Sequence, residues 1–158
     1  MNLLIFFQIY LVKLLFPRYY LLPTSLLYAQ AKHETGNFKS RIYLQNHNLF
    51  GMKLPRIRKT TALKSRYGHA VYKNNWTSIY DYFLRQNNFN IDFKNTQQYV
   101  KDTTSSGYAE DKKYSHKWLA NYFSLGSFRF LGYFILPTIL TIPILFFLDF
   151  KAIKNLAK

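Results

Sequence analysis

Pro23-Thr24-Ser25-Leu26-Leu27-Tyr28-Ala29-Gln30-Ala31-Lys32-His33-Glu34-Thr35-Gly36 reads as a helix with a signal at each end. Pro23, Thr24 and Ser25 mark the start, and Gly36 supplies the C-terminal stop. Leu27, Gln30, Ala31 and Glu34 fall at i, i+3, i+4 and i+7, so a carboxylate shares its face with apolar and small residues rather than with Lys32. That face is expected to be partly buried. Desolvation and the negative end of the helix dipole both disfavour an ionised carboxylate there. The pKa should therefore rise, as a general acid working near neutral pH requires. Periodicity alone leaves a second option open, in which Glu34 is an exposed residue decorating the helix end.

Composition gives Glu34 its weight. The 158 residues hold seven Asp and Glu against 22 Lys and Arg, a formal net charge of +15. The next acid after Glu34 is Asp81, so a hydrolase built on this chain has few acids to choose from. The length suits one globular domain with its own core and short appended segments. The charge points to an anionic partner: nucleic acid, an acidic membrane surface, or a wall polymer carrying carboxylates and phosphates. Fourteen Tyr and 15 Phe suit stacking on sugars or bases, and equally suit core packing. Cysteine is absent, which excludes disulfides, thiol nucleophiles and thiolate metal sites.

The two ends differ from the middle. Residues 131–148 carry no charge, and at about 1.5 Å per residue they nearly cross a bilayer core of about 30 Å. Extended back to Gly126, the run takes in Arg129, which could snorkel. Pro137 and Pro143 are tolerated better in a membrane helix than in a soluble one. A transmembrane helix over residues 124–150 is the expectation, with a buried hairpin of the core as its rival. Lys151, Lys154 and Lys158 in the tail that follows, 151–158, would leave the C-terminus in the cytoplasm and the domain facing the wall. Residues 1–22 are apolar but broken by Lys13, Pro17 and Arg18. They read either as a signal sequence, with Ala29-Gln30-Ala31 as the cleavage site, or as an apolar, membrane-associated first helix. The second is preferred, because no Lys or Arg precedes the apolar run and cleavage would cut the helix that carries Glu34.

Through the middle, Asn46 to Gly51 is turn chemistry. The stretch from Met52 to Lys73 is basic, and its alternation around Tyr67, His69 and Val71 predicts a short hairpin or cationic flap. Trp76, Ile79, Tyr80, Phe83 and Leu84 predict an amphipathic helix with Asp81 on its far face, paired with Arg85. A further helix is expected over residues 93–103 and a loop over 104–107. Asp111 is expected to cap a last helix in which Tyr114, Trp118 and Tyr122 repeat. His33, His47, His69 and His116 are scattered without metal-ligand spacing, so neither a metal nor a cofactor is expected. No phosphate loop, nucleophile elbow or nucleic-acid-binding signature is present, so no nucleic-acid partner is expected.

Four blocks then stand in order: Ala29-Gln30-Ala31-Lys32-His33-Glu34-Thr35-Gly36 with Phe38-Lys39-Ser40; Asn48-Leu49-Phe50-Gly51-Met52-Lys53; Tyr72 ahead of Ser78-Ile79-Tyr80-Asp81-Tyr82; and Gly107-Tyr108-Ala109-Glu110-Asp111 with Tyr114. Together they resemble the glucosaminidase family of peptidoglycan hydrolases, which includes flagellar-rod muramidase-like domains and bacterial autolysins. The resemblance implies a mainly α, lysozyme-like α+β fold over residues 23–123, with a groove between lobes. It implies cleavage of the β-1,4 bond after N-acetylglucosamine in peptidoglycan strands. Residue by residue it implies Glu34 as general acid, Tyr108 lining the groove opposite, and Tyr114 as the second aromatic of that motif. Asn48, Phe50 and Gly51 would shape the groove floor and, with Tyr72 and Tyr114, bind substrate. Several members of the family offer a second carboxylate in the flap. Here every position between Glu34 and Asp81 lacks an acid, so a substrate-assisted route that needs one carboxylate is expected. The rivals are a wall-binding module without turnover, a wall amidase, and a basic membrane-bound nucleic-acid binder, which binding to DNA but not to glycan would favour. The amidase fits poorly, since no metal site or cysteine is in view.

Overall fold

Asn2 begins the first helix by accepting the Ile5 amide on its side chain, and Leu3–Lys13 form α1. The computed structural model describes residues 2–130. Ile5, Phe6, Ile9 and Val12 of α1 are buried, while Leu3, Leu4, Leu11 and Leu15 on and just beyond it are exposed. Lys13, the charge that breaks the apolar run, lies inside. Its Nζ donates to the Leu22 carbonyl at 2.7 Å and the Tyr20 carbonyl at 3.3 Å, which fixes the connection after α1. Burial pulls its pKa down to about 8.

α2, Thr24–Glu34, is the predicted helix, with Pro23 in extended conformation at its start. Leu26 through Ala31 are buried. α2 packs against both α1 and α6, Tyr114–Phe123, and the Trp118 indole donates to the Leu26 carbonyl at 2.9 Å. A short helix that the sequence reading did not mark follows as α3, Arg41–Asn46. Ser40 caps it through the Tyr43 amide, and His47 closes it in the left-handed region. The hairpin is β1, Lys64–Arg66, paired antiparallel with β2, His69–Val71. Tyr67 at φ 56° and Gly68 at φ 74° give the two-residue turn whose twist suits a hairpin.

α4, Asn75–Asn88, opens on a capping box between Asn74 and Thr77. Its burial corrects the predicted face. Ile79, Tyr82 and Phe83 are buried, but Trp76 and Tyr80 stand partly out, and Asp81 is fully enclosed. The cause is that α4 is covered on two sides. α1 packs on one, and on the other the segment before β1 folds onto it, with Thr61 donating to the Thr77 carbonyl at 2.7 Å. Asp81 accordingly pairs with Arg58 and not with Arg85.

α5 is shorter than predicted, Thr96–Thr103, because Asn95 caps it through the Gln98 amide. A π turn over Thr104–Tyr108 replaces the expected loop. Asp111 does not cap α6, whose N-cap is Lys113 without a side-chain bond; it stands two residues earlier, its side chain accepting the Lys113 amide and its carbonyl the Tyr114 amide. Beyond α6, Gly126–Phe130 form a 3₁₀ turn docked on α2, where Ser25 donates to the Arg129 carbonyl at 2.8 Å. Arg129 therefore sits against Phe123 and Phe130 rather than inside a membrane helix. The remainder of the expected span, residues 131–150, lies outside the described residues. Among those described, no helix is long and apolar enough to cross a membrane.

Candidate active site

Glu34 owes its position to the way α2 ends. Thr35 is buried, its hydroxyl donating to the Ala31 carbonyl at 2.6 Å and accepting the Phe38 amide at 2.9 Å. The chain turns there, and the half-buried Glu34 side chain projects into a cleft of about 870 Å³. One wall of the cleft is residues 50–58, and another is residues 106–111 with Tyr114.

The floor beside Glu34 is backbone. Gly51 has φ 61°, and a Cβ there would meet Glu34 Oε2 at 2.5 Å. Any other residue would be strained at that φ, and its Cβ would push the Glu34 carboxyl aside. The loop carrying Gly51 is held from behind by Asn48, whose amide donates to the Met52 and Ala70 carbonyls at 2.8 and 3.0 Å and accepts the Met52 amide. The Leu49 amide donates to Ser78 Oγ at 3.0 Å, which sews the same loop to α4.

The aromatic wall is continuous. Phe50 stacks on Tyr82 at 4.2 Å, Tyr82 meets Tyr108 at 6.2 Å, and Tyr108 meets Tyr114 at 5.7 Å between ring centroids. The Tyr108 hydroxyl donates to the Phe50 carbonyl, and the Tyr114 hydroxyl donates to Glu34 Oε1. Gln30, one turn before Glu34, donates to the Tyr114 oxygen at 3.2 Å and so orients that hydroxyl.

Burial pushes the Glu34 carboxyl up to about 7, and the Tyr114 hydrogen bond holds it from rising further. With Oε1 accepting from Tyr114, the acidic proton belongs on Oε2, the oxygen beside Gly51. This arrangement can deliver a proton to an oxygen in the cleft near neutral pH.

The structure brings Glu34, Phe50, Gly51, Tyr108 and Tyr114 together on one cleft. It does not bring Asn48 or Tyr72 to the cleft surface, and both expectations are corrected. Asn48 is buried with its amide spent on backbone. Tyr72 is buried with its hydroxyl donated to Asp81 at 2.8 Å. Both hold the loop and hairpin from behind.

Asp81 takes Arg58 at 2.8 and 3.0 Å through both oxygens and also accepts the Thr61 amide. It is a structural anchor, and its charge is spent. Glu110 and Asp111 share the cleft lining with Glu34, but each is engaged by a lysine, Lys53 at 3.1 Å and Lys117 at 2.7 Å. Among the described residues, no group of His, Asp and Glu is arranged to hold a metal ion.

The sequence reading did not single out Arg58 and Arg85 as cleft residues. Arg58 looked like one charge in a solvated basic run, and no local period links it to Asp81, 23 residues away. Arg85 was assigned to Asp81 by spacing. Its guanidinium instead turns to Ser106 and the Tyr108 ring.

Comparison with known proteins adds one match. Residues 15–125 fit the family model described as glucosaminidase, mannosyl-glycoprotein endo-beta-N-acetylglucosaminidase. No curated protein and no solved structure matches the chain. The matched span runs from the end of α1 to the end of α6 and contains every wall of the cleft. With most of its length so matched, and a carboxyl poised over a groove, the chain belongs to the glucosaminidase family of glycoside hydrolases.

Proposed function

We propose that the protein is a peptidoglycan hydrolase that cuts the β-1,4 bond after N-acetylglucosamine, with Glu34 as general acid. The observation that carries this reading is the Glu34 carboxyl, half-buried at the cleft, held through Oε1 by Tyr114 and raised to about 7. Family membership supports a glycosidase acting on peptidoglycan.

The reaction we favour needs one protein carboxylate. Glu34 Oε2 gives its proton to the glycosidic oxygen as the bond from that oxygen to the anomeric carbon breaks. The carbonyl oxygen of the sugar's own N-acetyl group attacks that carbon and closes a cyclic oxazolinium. Water then adds to the same carbon, giving its proton to the Glu34 carboxylate and reopening the ring, so the carboxyl and the acetamide are both restored. This fits a cleft whose other two carboxylates are bound to lysines.

A two-acid route would recruit Glu110, the more exposed of the pair. The single-acid route predicts that Glu110→Gln and Asp111→Asn each lower kcat by less than about tenfold, whereas removing a true general base costs about 10² to 10⁴. Digested peptidoglycan, reduced with borohydride, should show N-acetylglucosaminitol at the new ends. N-acetylmuramitol ends would move the scissile bond. Retention on the wall without new ends would make the protein a binding module, and released stem peptides would make it an amidase.

We also propose that the domain works at the membrane, facing the wall. The uncharged run 131–148 and the lysines after it support this. Reporters fused to both ends test it: a cytoplasmic catalytic domain would contradict it.

A further inference from the structure

The cleft is lined by four Lys or Arg side chains, and their pairing is unequal. Lys53 is bridged to Glu110, and Arg58 is locked to Asp81. Among the described residues, no carboxylate lies within ion-pair reach of Arg56 or Arg85. Arg56 is exposed on the cleft wall.

Arg85 is the unusual one, because it is 7% exposed and still a cation. It donates only to neutral oxygens: Gln86 Oε1 at 2.9 Å, Ser106 Oγ at 2.8 Å and the Ser106 carbonyl at 3.2 Å. Its guanidinium lies 4.6 Å from the centre of the Phe89 ring and 4.8 Å from that of Tyr108. A nearly buried guanidinium without a counter-charge is costly to keep. A substrate anion would supply the counter-charge that the fold omits; with Nη1 given to Gln86 and Nη2 to Ser106, Arg85 would act on it as a fixed positive charge with its remaining N–H groups rather than as a free fork. The acids of the cleft, Glu34, Glu110 and Asp111, make no ion pair with either arginine; Glu110 and Asp111 turn to Lys53 and Lys117, and Glu34 to Tyr114.

We propose that Arg56 and Arg85, both on the lining of the same cleft, make up an anion subsite that takes a carboxylate carried by the glycan strand. The inference rests on the glycosidase reading above and adds a preference for charged over neutral strands. Tyr108 links the subsite to the chemistry: its ring lies against the Arg85 guanidinium and also against Tyr114, which is bonded to Glu34.

The test compares kcat/KM on three substrates: peptide-free strands with free lactyl carboxylates, strands bearing stem peptides, and the same strands with every carboxyl converted to a methylamide. The parent should prefer a carboxylated strand over the neutralised one by about tenfold, the scale of one charge-assisted contact. A preference confined to the peptide-free strands assigns the carboxylate to the lactyl group. One confined to the peptide-bearing strands assigns it to the stem.

Arg56→Gln and Arg85→Gln should each shrink the ratio through KM, Arg85→Lys should restore part of it, and salt should weaken it. Arg56 is exposed, so its variant carries the test even if Arg85→Gln does not fold. An unchanged ratio in Arg56→Gln and Arg85→Gln, or equal losses on charged and neutral strands, would overturn the subsite while leaving the glycosidase intact. No new reducing ends from any substrate would overturn the glycosidase reading and the subsite with it.

Discussion

At the scale of single residues, Glu34 is held in two ways that can be separated. Burial raises its pKa and the Tyr114 hydroxyl lowers it. In the proposed reaction the protonated carboxyl is the active form, so kcat/KM should fall as pH rises through about 7. Tyr114→Phe removes the lowering contact and should move that alkaline limb to higher pH; a downward shift would show that the hydroxyl does not favour the carboxylate. The folded pKa lies above the ordinary 4.5, so the stability linked to this proton is fully present below pH 4.5 and is lost as pH rises through about 7. Glu34→Gln has no proton to lose. Its stability advantage over the parent should grow from pH 5 to pH 8 by about 2 to 3 kcal/mol, read by denaturant melts at each pH. Gly51→Ala should cost about 1 to 2 kcal/mol for its positive φ. It should also lower kcat, because the added Cβ displaces Oε2.

Among the elements, the segment between Met52 and β1 matters most, because it builds a cleft wall without regular structure of its own. Its anchor is the Arg58–Asp81 pair, with Tyr72 and Thr61 completing the carboxylate's partners. Asp81→Ala leaves a guanidinium unpaired in a buried place and should cost about 3 to 5 kcal/mol in a urea melt. A loss under about 1 kcal/mol would mean that the wall is held otherwise. This element also shows where the sequence stops being legible. α2 was readable with its boundaries, because Pro23 and Gly36 punctuate it and its apolar spacing is helical. The hairpin was readable from alternation, but its turn was not: the alternating run 66–72 crosses Tyr67 and Gly68, where the chain reverses. The Arg58–Asp81 pairing was not, since it joins a loop to a helix by tertiary contact alone. For the same reason the buried face of α4 was misjudged: spacing assumes one covered side, and α4 has two.

Over the whole molecule, helices α1, α2, α4 and α6 make a frame, and the cleft lies where α2 ends against the Gly51 loop and the Tyr108 turn. The site was half legible. Glu34, Phe50, Gly51, Tyr108 and Tyr114 stand in motif blocks that the family resemblance could carry over, and the structure gathers them. Asn48 and Tyr72 stand in the same blocks, yet they serve the loop from behind, because a block records shared architecture as well as shared chemistry. The cationic lining was visible only as an excess of charge. Its division into paired and unpaired arginines required the fold. The frame's purpose, on this account, is to keep one carboxyl protonated at the edge of a glycan cleft. The most direct check is the rate at which Glu34→Gln releases new reducing ends from purified peptidoglycan, beside the parent and with folding verified. With Glu34 as the proton donor, kcat should fall by about 10² to 10⁴ with wall binding retained; cleavage at the parental rate would contradict that role.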